Sequence, residues 1–282
     1  MKKIPKELLI QSVKEMIMTS AISLDQCLID RLKISFENET FKLAKSTLSQ
    51  ILENQEIAKN EHIPLCQDTG IAVVFLEIGN EIEINYNLED AINEGVRQGY
   101  LEGYLRKSVV NHPLIRQNTL DNTPAIIHQK LVKGDTLKIE IAPKGAGSEN
   151  MSRLVMLTPA SGIQGVKNFI LETVKLAGGK SCPPIILGIG IGGNFEKAAL
   201  MAKEALFRDL DDHAHLPIDQ QLETELLDEV NQLNIGPMGL GGNTTCLAVK
   251  VNSFPCHIAS LPVAVNIQCH SARKKKMILR GE

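Results

Sequence analysis

The chain has 282 residues, 43% apolar and 22% charged, with a net charge of −3. That length buries a full-sized core as one large domain or two, with the composition of a soluble globular protein. The charge excludes a basic field for nucleic acid or an anionic membrane surface, and no apolar run reaches the ~20 residues of a membrane span. Zero Trp and 4% aromatics argue against stacking-based recognition of bases or sugars. The basic start, Met1-Lys2-Lys3-Ile4-Pro5-Lys6, lacks the apolar block and cleavage site of a signal peptide, so the cytoplasm is the expected compartment.

The first sixty residues read as helices. Apolar residues recur at helical spacing over 4–21 (Leu8, Leu9, Val13, Met16, Ile17), over 25–35 and over 39–59 (Leu43, Leu48, Ile51, Leu52). The pattern stops at Ile63-Pro64, because the residue before a proline is pushed out of the helical region. A polar loop follows, then a strand over 71–78 ended by Gly79-Asn80. Residues 88–103 read as a helix. Strands over 125–132 and 136–141, joined by Lys133-Gly134-Asp135, predict a hairpin. From 143 onward short strands (185–189, 245–251, 257–267) alternate irregularly with helices (164–175, 196–210, 219–233). The expectation is mixed α/β of the α+β kind: a helical N-terminal region, 1–60, in the same domain as a catalytic α/β part, 61–273, with a basic tail over 274–282.

Six cysteines (27, 66, 182, 246, 256, 269) are widely spread with no C-x-x-C pair, which argues against a disulfide framework. Cys66 stands out. In Leu65-Cys66-Gln67-Asp68-Thr69-Gly70 a thiol has an amide beside it and a carboxylate two residues on, so that a soft metal ligand and a proton-transfer group could face one small volume. Cys182 precedes Pro183-Pro184, and Cys269 precedes His270-Ser271-Ala272-Arg273. Three buried inert thiols are the plain reading; chain-breaking or polar neighbours favour loop positions from which thiolates reach a metal. Three thiolates would leave one position open, unlike closed structural zinc, and suit an iron–sulfur cluster that binds substrate.

Gly188-Ile-Gly190-Ile-Gly192-Gly193 has the G-x-G-x-x-G spacing after a strand and before a helix. The acidic residues about 20 positions on, Asp209, Asp211 and Asp212, end a helical pattern rather than a second strand, so the glycines are read as permitting tight turns and close backbone approach. Lys144-Gly145-Ala146-Gly147-Ser148 could be an anion nest or a plain polar loop. Arg106 could clamp a carboxylate or be a surface charge. His257 alone reads as a core or edge-strand histidine.

Taken in order, Cys66-Gln-Asp-Thr-Gly70, Leu105-Arg106-Lys-Ser-Val-Val110, Arg116-Gln-Asn-Thr-Leu-Asp-Asn-Thr-Pro124, Lys144-Gly-Ala-Gly-Ser-Glu-Asn150, Cys182-Pro-Pro with Gly188-Ile-Gly-Ile-Gly-Gly193, and Gly239-Leu-Gly-Gly-Asn-Thr-Thr245 strongly resemble the class I, iron–sulfur-dependent fumarate hydratases and L-tartrate dehydratases. The resemblance runs from about residue 60 to 273. It implies a 4Fe–4S cluster on Cys66, Cys182 and Cys269, with Cys27, Cys246 and Cys256 as buried thiols. It implies that Gln67, Arg106 and a glycine amide of the 145–147 loop, taken as Gly147, hold substrate carboxylates, and that Asp68 binds substrate and transfers the proton at the departing oxygen. His257 matches a catalytic histidine that reaches the site from a neighbouring subunit. Long family members continue into a second domain; this chain stops at Glu282, so it resembles the α subunit of the two-chain type, paired with a β subunit in a hetero-oligomer with α–α contacts. The expected reaction is hydration of fumarate to (S)-malate, or conversion of tartrate to oxaloacetate. The reading from another class is a non-catalytic scaffold whose cysteines hold zinc.

Overall fold

The computed structural model describes residues 2–281. In chain order the elements are β1 (Lys2–Lys3), α1 (Lys6–Ile22), α2 (Gln26–Asn38), α3 (Lys42–Glu61), β2 (Ile71–Gly79), β3 (Ile82–Glu83), α4 (Leu88–Glu102), β4 (Ile126–Val132) and β5 (Thr136–Lys144). They continue with α5 (Ala146–Glu149), β6 (Arg153–Leu157), α6 (Gly162–Ala177), β7 (Ile185–Gly192), α7 (Phe195–Ala205), α8 (Pro217–Asn231), β8 (Cys246–Phe254), β9 (Leu261–Gln268) and β10 (Lys275–Arg280). The mixed α/β expectation holds. The chain divides into two compact units that interleave in sequence and cut across the 1–60 and 61–273 bounds. One takes residues up to 25, 55–145 and 273 onward; the other takes 26–54 and 146–272.

The first unit is built on a sheet of order β10-β5-β2-β4. The alternation of β2 and β5 puts Val74 opposite Ile141 and Leu76 opposite Ile139, so one face is a continuous apolar surface. There it meets Leu9, Val13 and Ile17 of α1 and Ile92, Val96 and Tyr100 of α4, all fully buried. The opposite face carries Lys138 between Glu77 and Glu140, and Phe75 stacked on His128 at 4.7 Å. Helices α1 and α4 approach closely because Gly95 and Gly99 lie on the contact: a β-carbon at Gly95 would sit 2.7 Å from the Ile10 carbonyl oxygen.

Two expectations need correcting here. β4 and β5 do not form a hairpin; β2 lies between them, parallel to β4 and antiparallel to β5. The 133–135 turn crosses the end of β2, where Asn80 N donates to Val132 O at 2.9 Å and Glu81 N to Gly134 O at 3.0 Å. The mostly exposed β4 is an edge, whereas the alternately buried β5 needs a partner on each side. The basic tail is the edge strand β10, paired antiparallel with β5, with Leu279 turned into the core.

In the second unit the sheet runs β6-β9-β7-β8, with β7 parallel to β8 and antiparallel to β9. The run Ile-Ile-Leu-Gly-Ile-Gly-Ile-Gly of β7 is a period-two pattern. Leu187 and Ile189 join Val166 and Ile170 of α6 and Leu222 and Leu226 of α8 in one core. Gly188 and Gly190 face α7, where a β-carbon would run into the carbonyl oxygens of Ala202 and Ala198. The dinucleotide-like spacing is therefore strand alternation with glycines admitting a helix at close range. Helix α7 stops at Ala205, five residues before the expected end, and the acidic cluster beyond it is spent on ion pairs: Asp212 with Arg208 and Lys250, Asp211 with Arg31. Strand β9 begins at Leu261, which leaves His257 in the turn before it. No helix among the described residues is long and apolar enough to cross a membrane.

Replacing Gly190 by Ala puts the new methyl against α7 backbone, which cannot yield as a side-chain tip can. The expected loss is about 3 kcal/mol, the upper end for overpacking, read as a lower midpoint of urea unfolding.

Candidate functional site: a clamped carboxylate loop and a strand-end thiol pair

In the first unit the Cys66–Gly70 segment leaves α3 and enters β2, and its shape is held by buried donors aimed at its carbonyls. Gly70 adopts φ +75°, and a β-carbon there would lie 2.6 Å from the Lys144 carbonyl carbon and oxygen, so the position admits only glycine. The Tyr100 hydroxyl is 2.8 Å from Thr69 O and 2.9 Å from Gly70 O. Asn122, fully buried in the left-handed region, donates from Nδ2 to Gly70 O at 3.1 Å and accepts the amides of Ser108 and Val109. Thr69 Oγ1 donates to Arg106 O at 2.8 Å, which ties the Arg106 segment to the same loop. Arg273 Nη2 donates to Asp68 O at 2.8 Å, while Asp68 Oδ1 accepts the amide of Gly70 at 3.0 Å. Burial pushes the Tyr100 hydroxyl well above its ordinary range; the neighbouring Arg273 charge opposes that rise and Asp68 adds to it.

This unit thus brings together Gln67 and Arg106, both exposed, with a half-buried Asp68. Cys66 Sγ lies 3.6 Å from Gln67 Oε1. Gly145 is also here, since a β-carbon on it would come 3.0 Å from Asp68 Oδ2. Gly147 is not: it belongs to the second unit, where its nearest neighbour would be Lys180 O at 3.8 Å.

In the second unit Ile186 is opposite Gln268, so the chain entering β7 and the chain leaving β9 emerge at one end of the sheet. Cys182 and Cys269 occupy those positions, both half-exposed. His270 Nδ1 lies 2.9 Å from Cys182 O, and Gln268 Nε2 is 3.5 Å from Cys269 Sγ. Cys182 closes a 3-10 turn in the left-handed region, with φ 52° and ψ 62°. The Gly147 turn reaches the same end, anchored by Glu149, whose carboxylate binds Lys203 Nζ at 2.5 Å and Asn266 Nδ2 at 2.9 Å. Burial pushes the Lys203 ammonium down against the pull of Glu149.

His257 stands apart from these residues, exposed in the turn between β8 and β9 at the opposite end of the sheet. Eight residues of β9 at about 3.3 Å each put it about 25 Å from Cys269 of its own chain. Its Nδ1 accepts the amide of Ala259 at 3.1 Å.

The remaining thiols differ from the expectation of three buried cysteines. Cys246 is buried, and burial pushes its thiol up to about 12. Cys27 is half-exposed and donates to Asp211 Oδ2 at 2.9 Å, with its pKa raised by burial and then by Asp211. Cys256 is exposed, because the turn holding it lies outside β9. Among the described residues no group of three or more His, Cys, Asp or Glu side chains is set to hold a metal ion. The donor chemistry of the second unit nevertheless fits an iron–sulfur cluster: two half-exposed thiols at one strand end, whereas Cys246, at the start of β8, is turned into the core.

Carboxylate, carboxamide and arginine on one loop system are the equipment of a hydro-lyase, which must hold carboxylates while moving a proton at a hydroxyl. The fumarate hydratase (Fumerase) family model matches residues 10–278, and the chain belongs to that family. It is 45% identical over 270 residues, 93% of this chain and 94% of the relative, to a Methanocaldococcus jannaschii protein named "Putative L(+)-tartrate dehydratase subunit alpha". It is 27% identical over 257 residues, 90% and 85% of the two chains, to the L(+)-tartrate dehydratase subunit alpha of Escherichia coli O157:H7 and to that of strain K12.

Tyr100, Asn122, Glu149 and Arg273 escape sequence reasoning, since each acts by a contact between residues far apart in the chain. Asn122, Glu149 and Arg273 stood inside noted motifs, but with no role assigned to them; Tyr100 stood outside all of them.

Two outcomes follow from these environments. Replacing Asn122 by Ala strands the buried Val109 amide and removes the donor to the Gly70 carbonyl, and is expected to cost about 3 kcal/mol, measured by denaturant unfolding. Brief alkylation of the native chain near pH 8 (roughly) should label Cys256 and spare Cys246, whose thiol stays protonated until far more alkaline pH, as peptide mass mapping would show.

Proposed function

We propose that this chain is the α subunit of an iron–sulfur hydro-lyase that interconverts fumarate and (S)-malate. Cys66, Cys182 and Cys269 are its cluster ligands, and a β subunit completes the site. The observation that carries the reading is the Asp68 loop. A carboxylate on a segment clamped at three successive carbonyls is held to a narrow range of positions, as a group that meets a proton in flight must be.

When bound, a 4Fe–4S cluster on three thiolates supplies one open iron as a Lewis acid for the hydroxyl that enters or leaves. The chain's own residues do the rest. Arg106 and Gln67, exposed beside Asp68, hold a substrate carboxylate, by a charge-assisted pair and by the carboxamide N–H. The amide of Gly147 supplies a further donor. Asp68 moves the proton at the departing oxygen. His257 serves a neighbouring α subunit, which suits its exposed turn far from Cys182 and Cys269 of its own chain. The site is cytoplasmic and takes a small C4 dicarboxylate.

The names of the relatives favour a second reading, in which the substrate is L-tartrate and the product oxaloacetate. The two substrates differ by one hydroxyl, and residues of the β subunit take part in the choice.

The test is anaerobic co-purification with the β chain, followed by side-by-side assay of fumarate and L-tartrate. A brown complex with broad visible absorption that hydrates fumarate and loses activity in air is expected. A colourless protein with stoichiometric zinc defeats the proposal, and turnover of tartrate alone selects the second reading. Replacing Asp68 by Asn should keep the visible spectrum and lower turnover by about 10²-fold or more. Cys182→Ser should lose the intact cluster.

A further inference from the structure

Arg273 is 3% exposed, yet only one of its three nitrogens is used. Nη2 reaches Asp68 O at 2.8 Å, while Nε and Nη1 are buried and have no hydrogen-bond partner among the described residues. A guanidinium carries five N–H donors, and a buried charge with most donors idle is costly unless something near it uses the charge. The backbone carbonyl does not need it: a neutral carboxamide could donate the same bond. What lies near is the Asp68 carboxylate. A β-carbon on Gly145 would sit 3.0 Å from Asp68 Oδ2 and 3.7 Å from Arg273 Nη2, so carboxylate and guanidinium flank one bare α-carbon.

The clamps on the loop also divide their work. Tyr100 holds the carbonyls of Thr69 and Gly70, and Asn122 holds that of Gly70. Arg273 alone among these three acts on Asp68 itself.

We propose that Arg273 is a positioning residue for Asp68: it fixes the Asp68 main chain through the carbonyl, and its buried charge, set beside the carboxylate, holds that side chain in one orientation. This rests on the reading of Asp68 as the proton-transfer group. It makes Arg273 a contributor to the reaction that touches no substrate.

The test compares wild type with Arg273→Met and Arg273→Lys in the full chain, by hydrogen exchange and, with the β subunit bound, by kinetics. Exchange of the 66–70 amides should quicken by roughly tenfold or more in Arg273→Met, with the β2–β5 peptides unchanged. Turnover should fall by about 10-fold or more with KM within about twofold, and Arg273→Lys should recover part of both losses. A raised KM at unchanged turnover would mean a direct substrate contact and overturn the proposal. So would faster exchange spread across the sheet, which marks a merely structural role, or no change at all. Should Arg273→Met fail to fold, Arg273→Lys decides by the same criteria: exchange quickened only in the loop supports the positioning role, and any other pattern overturns it. A complex inert toward both fumarate and tartrate would sink the proposed function, while the exchange measurement would still judge Arg273.

Discussion

Gly70 lies with its α-carbon against the main chain of Lys144, closer than any side chain permits, and the arrangement of the first unit's loops depends on that contact. It seats the start of β2 beside the end of β5 and leaves the carbonyls of Asp68, Thr69 and Gly70 pointing into protein rather than water. Buried carbonyls must be paired. Tyr100 from α4, Asn122 from the loop before β4 and Arg273 from the approach to β10 do this, so three distant stretches of chain converge on five residues. The hydrophobic core positions those donors: α4 rests on the sheet through Ile92 and Val96, and β10 through Leu279. Packing energy in the core is thereby converted into fixed orientation in a polar loop.

The second unit reaches a similar end by another route. Its two half-exposed thiols are not clamped by a cage of donors but are placed by sheet register. With β7 and β9 antiparallel and paired from Ile186 to Gln268, Cys182 and Cys269 have little choice but to share an end. What keeps the register is the two-sided burial of β7, large side chains toward α6 and α8 and glycines toward α7. A slip by one residue would send Leu187 and Ile189 into the space that only glycine fits.

Much of this was legible in the sequence, for reasons that differ by residue. Helices α1 to α4 announce themselves by apolar periodicity, and β2 by its flanking punctuation. That Cys66, Asp68, Cys182 and Cys269 lie in half-exposed loop positions was legible because their neighbours are wrong for inert core positions. The failures share a cause. The β4–β5 hairpin was inferred from a short turn, but whether a third strand enters between two others is decided by burial on both sides, which no local window contains. The basic run at 274–282 hid a strand because charged and apolar residues fall on both of its faces, Lys276, Ile278 and Arg280 outward and Lys275, Met277 and Leu279 inward, so that the period does not show. Tyr100 gave no signal, and Asn122, though inside the 116–124 motif, gave none of its role, since a tyrosine or asparagine becomes a clamp only through partners some thirty and fifty residues away.

The position of His257 follows from the same register that unites the thiols. Because β8 and β9 run the full height of the sheet, the turn joining them is at the far end from Cys182 and Cys269, whatever its sequence. That turn displays Ile258 at 90% exposure beside an exposed Phe254, and it is shaped by short local bonds: Ser260 N to His257 O at 2.9 Å and Ala259 N to His257 Nδ1 at 3.1 Å. This turn, with its histidine and uncovered apolar side chains, is too distant to serve Cys182 and Cys269 of its own chain. The strand geometry of the second unit therefore lets His257 meet a Cys182–Cys269 pair only in a neighbouring copy.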